Sequence, residues 1–441
     1  MILHYAVLSR GEGVQPAYGE AHDKGEFMKG LKGACMFCQS GGPTAVINSS
    51  AAGVFLEALK QENITAVYGA EHGVLGILQE KFYDISKEDI DELKLLRHTP
   101  SSALGSSRYK LKDYAEDDTD YMRLLEVFKK YDIRFFFYNG GNDSMDTCNK
   151  ISKFMEEQDY DCNVIGVPKT IDNDLFGTDH CPGYASAAKY IATTVMECNL
   201  DAKVYNFGLV CIIEVMGRNA GWLAASAALA DQTGLGADLI YLPEVPFSVE
   251  KFVQDVFNVC ERNEGKCIAV VAEGLKDENG KYVGDFKAGA HDHFGHAALG
   301  GLAAILGGII KERLGVKVRP IELSLMQRCA AHLASAIDVD EAFRAGSYAV
   351  RAAVAGETDK MVIFERDYGA DTYVCNPALV SLEHAANAER KVPLEWIVDG
   401  GTGISEEFVK YAMPLIQGDV KVPEEKGLPR FAKLKKIYAK K

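Results

Sequence analysis

The sequence predicts an α/β protein made of two doubly wound, mainly parallel-sheet domains with the active site in the cleft between them, and three observations predict it. Apolar runs of strand length alternate with helical-period segments along most of the chain, the pattern of successive βαβ units. At 441 residues the chain exceeds what one hydrophobic core usually organises. Its 47% hydrophobic and 25% charged content, with 42 glycines, describes a turn-rich globular protein rather than a disordered or fibrous one.

Residues 1–33 are rich in Gly and charge with little periodicity and read as an N-terminal extension. Strand-length runs follow at 34–38, 64–68, 134–138, 164–167, 207–215, 237–242, 267–272, 316–323 and 361–364. Helical-period segments lie between most of them, at 45–60, 119–131, 144–157, 183–199, 219–231, 249–262 and 295–314. Parallel sheets covered on both faces hold ligands at the carboxyl ends of their strands, so functional residues are expected just after strands. The basic tail 432–441 reads as a solvated amphipathic end.

Composition also excludes functions. A formal net charge of -15 argues against a nucleic-acid binder, which needs clustered positive charge. Eleven Cys and the absence of a secretory leader in the opening residues point to a reducing, cytoplasmic setting. The longest apolar run, 297–310, is too short to span a bilayer, so no membrane role is expected.

The chemistry sits in the loops after strands. Ser40-Gly41-Gly42-Pro43-Thr44 leads from the first strand into a helix; glycines let backbone N–H groups approach an anion at a helix N-terminus, and they also serve tight turns for steric reasons alone. Asn139-Gly140-Gly141-Asn142-Asp143-Ser144 repeats that build with an acid, where Asp143 either caps the helix or meets a phosphate or its metal. Pro168-Lys169-Thr170-Ile171-Asp172-Asn173-Asp174 gathers two carboxylates, a cation and a hydroxyl. Phosphoryl transfer needs a carboxylate to take the attacking hydroxyl's proton, another to help hold a metal, and a cation to balance the oxygens. Arg218 in Met216-Gly217-Arg218, Glu273 in Ala272-Glu273-Gly274, and Arg319 and Arg328 near a later strand add donors for phosphates and an acceptor for sugar hydroxyls.

In this order the loops closely resemble the phosphofructokinase family over about 34–343, through S-G-G-P-T-A-V-I-N, G-S-S-R at 105–108, G-G-N-D-S, P-K-T-I-D-N-D, E-V-M-G-R, A-E-G, F-G-H at 294–296 and M-Q-R. The resemblance implies transfer of a phosphoryl group to the 1-hydroxyl of fructose 6-phosphate, giving fructose 1,6-bisphosphate. By it Asp172 is the general base, flanked by Thr170 and Asp174, and Arg218 stabilises the phosphoryl group in flight. Met216 and Gly217 shape the sugar site, Glu273 binds sugar hydroxyls, and Arg319 and Arg328 hold the 6-phosphate. Gly42 and Arg108 contact the donor phosphates, and magnesium is held by Asn142, Asp143 and Asp174. Donor choice follows from Asp143, whose bulk and charge disfavour the α-phosphate of ATP, together with Lys169, which suits a short inorganic donor; the pair resembles the pyrophosphate-dependent members, with reversible transfer and no adenylate effector site. The resemblance implies a donor-phosphate domain at 34–184 completed by about 327–390, and a sugar-phosphate domain at 185–326 completed by about 391–441. It also implies a homodimer or homotetramer whose subunits share active sites.

Three positions depart from the family pattern: Asn142 stands at a usual magnesium-binding Asp, Leu209 replaces an Arg nine positions before Arg218, and Leu325 replaces a His before Gln327-Arg328. Alternatives within the same reading are an ATP-dependent member, a member using sedoheptulose 7-phosphate, or a noncatalytic regulatory subunit. Cys35-Met36-Phe37-Cys38 falls in a strand rather than at a helix start, so buried core thiols are expected there. His291, His293 and His296 have no matching ligand set elsewhere, and no zinc site is expected.

Overall fold

The computed structural model describes residues 30–107, 109–283, 301–385 and 389–440. The first sheet begins with β1 (Gly33–Gln39), β2 (Ile64–Ala70), β3 (Phe82–Asp84), β4 (Ile133–Gly140) and β5 (Asn163–Pro168). The second holds β6 (Leu209–Val215), β7 (Leu239–Tyr241), β8 (Lys266–Ala272) and β9 (Lys317–Glu322), after which β10 (Lys360–Arg366) and β11 (Cys375–Ser381) return to the first. The first sheet has the order β11-β10-β5-β4-β1-β2-β3, antiparallel only where β3 and β11 pair at its two edges. The second, β7-β8-β6-β9, is parallel throughout.

The strand sequences explain the layering. In Phe135-Phe136-Phe137-Tyr138 every residue is buried, but successive side chains face opposite sides of the sheet. Phe135 and Phe137 pack with Phe37, Ala51, Phe55 and Ala345, beneath the helices Ile47–Ala58 and Ala336–Val354. Phe136 and Tyr138 pack with Tyr121, Phe128, Met145 and Cys148, beneath Thr119–Tyr131 and Asn142–Glu157. A separate core, with Ile191, Ile212, Trp222, Phe252, Val270 and Leu306, surrounds the second sheet. No described helix is long and apolar enough to cross a membrane.

The nine expected strands are all present, two with small shifts of start. The edge strands β3 and β11 and the helix Ala336–Val354 are among the additional elements. The expected helix at 219–231 is instead one α-helical turn, Trp222–Ala225, continuing as a 3-10 helix, Ser226–Thr233, that stops at Gly234 in the left-handed conformation.

The C-terminal end refines one expectation. Residues after 390 complete the second core through the helix Glu406–Ala412, where Phe408 and Tyr411 pack around Trp222. The basic tail then crosses to the first sheet, where its backbone is tied down while most of its residues stay exposed. Asp84 N–H donates to the Ile437 carbonyl and Ala439 N–H to that of Phe82, at 2.9 Å each. Glu88 and Glu92 accept the tail's backbone N–H groups at Lys433, Lys435 and Lys436. An open edge strand and a cluster of acids, rather than the tail's own periodicity, decide this path.

Candidate active site

β1 and β4 are neighbours, but the chain leaves β1 toward β2 on one side and continues from β4 to β5 on the other. A crevice therefore opens at their carboxyl ends. The loops after β1, β4, β5, β6 and β8 line one cleft there, of about 390 Å³. The helix Asn142–Glu157 starts with Gly141 as its N-cap and no side chain caps it. Asp143 thus does not close the helix end; it is exposed in the first turn and lines the cleft.

Two cations meet the first loop. Lys169 is 3% exposed, and its Nζ donates to the Gly42 carbonyl at 2.7 Å. A Cβ on Gly42 would come within 2.8 Å of Arg328 Nη1, so a larger residue there would push the guanidinium aside. Arg328, expected at the sugar phosphate, lines the cleft and lies close to Gly42 of the first loop. The reason is local: the turn after β9 leads straight into the helix Met326–Cys329, and Gln327 is held by the Met216 N–H at 3.1 Å.

The carboxylates occupy the opposite wall. Burial lifts the Asp172 carboxyl above its ordinary range and Glu273 adds to this, while Lys169 and Arg218 oppose it. Burial, Asp172 and Glu389 lift Asp174, which the Thr170 hydroxyl partly counters. Thr170 Oγ1 also accepts the Asp172 N–H at 3.1 Å, so this hydroxyl ties the two acids together. Glu273 is pushed up to about 7, chiefly by burial and against the pull of Arg218. A base whose affinity for a proton is raised toward neutrality suits proton abstraction from a hydroxyl.

Oxygen ligands for a hard cation converge at the head of the Asn142–Glu157 helix. Asn142 Nδ2 donates to Asp174 Oδ2 at 3.0 Å, leaving Asn142 Oδ1 buried without a hydrogen-bond partner. Such a carbonyl oxygen beside a carboxylate fits a divalent ion that prefers oxygen.

On the second-sheet side, Met216, Arg218 and Glu273 line the cleft. Gly217, at φ +120, makes the turn behind Met216 and is not itself in the lining. A Cβ on Gly274 would stand 1.9 Å from the Arg218 carbonyl, so the two loops touch backbone to backbone. Arg319 is exposed on the edge strand β9, outside the cleft of its own chain. Arg108 and the stretch 291–296 lie outside the described residues.

Sequence reasoning missed Glu389 and Asn219. Both line the cleft, joined by Asn219 Nδ2 donating to Glu389 Oε1 at 3.0 Å. Glu389 arrives through a bridge with Leu175, and no local pattern around it signals this. Cys35 and Cys38 are fully buried in β1, where burial pushes the Cys35 thiol up to about 12.

Comparison with known proteins agrees with this arrangement. The family model described as phosphofructokinase matches residues 34–353. A pyrophosphate–fructose 6-phosphate 1-phosphotransferase of Halomonas elongata is 44% identical over 408 residues, 91% of this chain and 96% of the relative. One of Methylococcus capsulatus is 43% identical over 403 residues, 90% of this chain and 95% of the relative. The crystal structure of a pyrophosphate-dependent phosphofructokinase from Marinobacter aquaeolei superposes with a TM-score of 0.83 at 41% identity, covering 93% of this chain and 98% of that one.

Proposed function

This chain belongs to the phosphofructokinase family, and from that premise we propose that it transfers a phosphoryl group from pyrophosphate to the 1-hydroxyl of fructose 6-phosphate, reversibly, giving fructose 1,6-bisphosphate and phosphate. The observation that carries the donor assignment is the pairing of Asp143 and Lys169. Asp143 stands exposed in the first turn of its helix, lining the cleft beside the donor loop, and Lys169 donates to the Gly42 carbonyl of that loop. An extended nucleotide would have to lay its α-phosphate against the Asp143 carboxylate, whereas a compact donor ends at the lysine.

In this reading Asp172 takes the proton from the sugar hydroxyl as that oxygen attacks the terminal phosphorus of pyrophosphate, and the bond to the leaving phosphate breaks. Lys169, Arg218 and Arg328 neutralise the phosphoryl oxygens, which is where catalysis of this transfer resides. Thr170 fixes the spacing of Asp172 and Asp174. Asn142 and Asp174, with Asp143 beside them, would hold magnesium, which would screen the negative charge of pyrophosphate. Met216 and Gly217 shape the sugar end, and Glu273 accepts from sugar hydroxyls. Arg319, exposed on an edge strand, serves the sugar phosphate of a neighbouring subunit in a homodimer or homotetramer. Eleven unpaired cysteines support a cytoplasmic setting.

The test is a donor panel. With magnesium and fructose 6-phosphate, product forms rapidly with pyrophosphate and at least a hundredfold more slowly with ATP; comparable ATP turnover would overturn the donor assignment.

A further inference from the structure

Between Asp172 and Asp174 lies Asn173, fully buried and at φ +55. Asn is one of the few non-glycine residues that adopt this left-handed conformation readily, and here buried partners hold its side chain in place. The turn it makes sends its own side chain away from the cleft while both neighbouring carboxylates line it. Asn173 Oδ1 accepts the Cys181 N–H at 2.9 Å, and its Nδ2 donates to the Tyr411 hydroxyl at 2.8 Å.

That hydroxyl is used completely. A phenol has one proton to give and two lone pairs. Tyr411 gives its proton to the Asp179 carbonyl at 2.9 Å and accepts from Asn173 and from Arg390 Nη1 at 3.2 Å. Arg390 in turn donates its backbone N–H to the Asp174 carbonyl at 2.8 Å. Tyr411 and Arg390 therefore grip two consecutive residues of the reacting loop, and both stand beyond residue 353, where the family model's match ends.

We propose that Tyr411 is a positioning residue for phosphoryl transfer. Its hydroxyl locks Asn173 in the left-handed conformation, and this lock sets the relative aim of Asp172 and Asp174. The proposal rests on the reaction assigned above. Because it acts on aim rather than on binding, its loss lowers kcat and leaves KM largely alone.

The experiment is a double-mutant cycle of Tyr411→Phe and Asn173→Gly, assayed on the full chain below the melting temperature, with folding checked by near-ultraviolet circular dichroism. Glycine keeps φ accessible but removes the hydrogen-bonding side chain. Each single variant is expected to lose about tenfold or more in kcat with KM for both substrates within about threefold, and the double variant to lose no more than the worse single. Multiplicative losses, or a folded Tyr411→Phe with kcat within twofold of the starting protein, overturn the proposal. If Tyr411→Phe does not fold, Asn173→Gly decides alone, since it leaves Tyr411 bonded to Arg390 and Asp179; an undiminished kcat then overturns it. A starting protein active only with another donor corrects the donor and leaves the cycle readable with that donor. One inert with every donor overturns both readings.

Discussion

Asp172 and Asp179 lie on one short segment, yet their surroundings are opposite. Asp179 receives Arg366 Nη2 at 2.8 Å, His180 Nδ1 at 2.8 Å and the Tyr368 hydroxyl at 2.6 Å. His180 Nε2 meets Glu341 at 2.7 Å, and Tyr373 donates to the same carboxylate at 2.7 Å. Burial alone would lift the Asp179 carboxyl, but His180, Arg366 and Tyr368 outweigh it and hold it at about 2. Burial alone would likewise depress His180, but Glu341 and Asp179 raise it to about 9. In the cleft the balance runs the other way: burial lifts Asp172, Asp174 and Glu273, and neighbouring acids add to it, Glu273 on Asp172, Asp172 on Asp174, and Glu214 on Glu273. A cluster that answers each charge with a partner holds the fold together. A cluster whose acids outnumber nearby cations holds a proton affinity in readiness for chemistry.

The contrast can be tested by breaking each cluster in turn. The largest effect is expected from Asp172→Asn, which should cost kcat on the order of 10³-fold, about 4 kcal/mol of barrier. The same change should raise the melting temperature slightly at pH 8, because a charge that the fold disfavours is gone; a matching drop in stability would erase the distinction. Glu341→Gln should do the reverse, costing about 3 kcal/mol in denaturant unfolding while kcat of the folded enzyme stays within a few-fold.

The third test uses pH. His180 has a raised folded value, so its contribution is fully present below the ordinary imidazole range and is lost as pH rises through about 9. Unfolding free energy should fall by up to about 3 kcal/mol between pH 6.5 and pH 10, and Glu341→Gln should flatten that fall. The smallest effect is expected at the cleft's rim. Gly42→Ala pushes on Arg328, and should raise KM for pyrophosphate about tenfold, about 1.4 kcal/mol, with no change in melting temperature.

The cleft cluster was the legible one. Asp143, Lys169, Asp172, Arg218 and Glu273 each follow a buried strand, so a local pattern of apolar run and polar loop marks them. The partner of His180 on a distant helix is Glu341, and the partner of Asp179 on β10 is Arg366, both far away in sequence, and no spacing rule links them. Glu389 stayed hidden for the same reason, being placed by its bridge to Leu175. β3 and β11 are edge strands defined by pairing rather than by periodicity, and the closeness of Arg328 to Gly42 is set by a turn of backbone that residue type does not reveal.

The tail that pairs with β3 also bears on how the protein is made. Tyr83 and Tyr438 form a bridge across most of the chain length. During synthesis from the N-terminus, the edge of the first sheet is exposed until the tail at 430–440 has left the ribosome, so a nascent chain presents a bare strand edge that the tail later covers. Ribosome-stalled or truncated products lacking 430–440 are therefore the species in which edge-to-edge association between copies is to be sought.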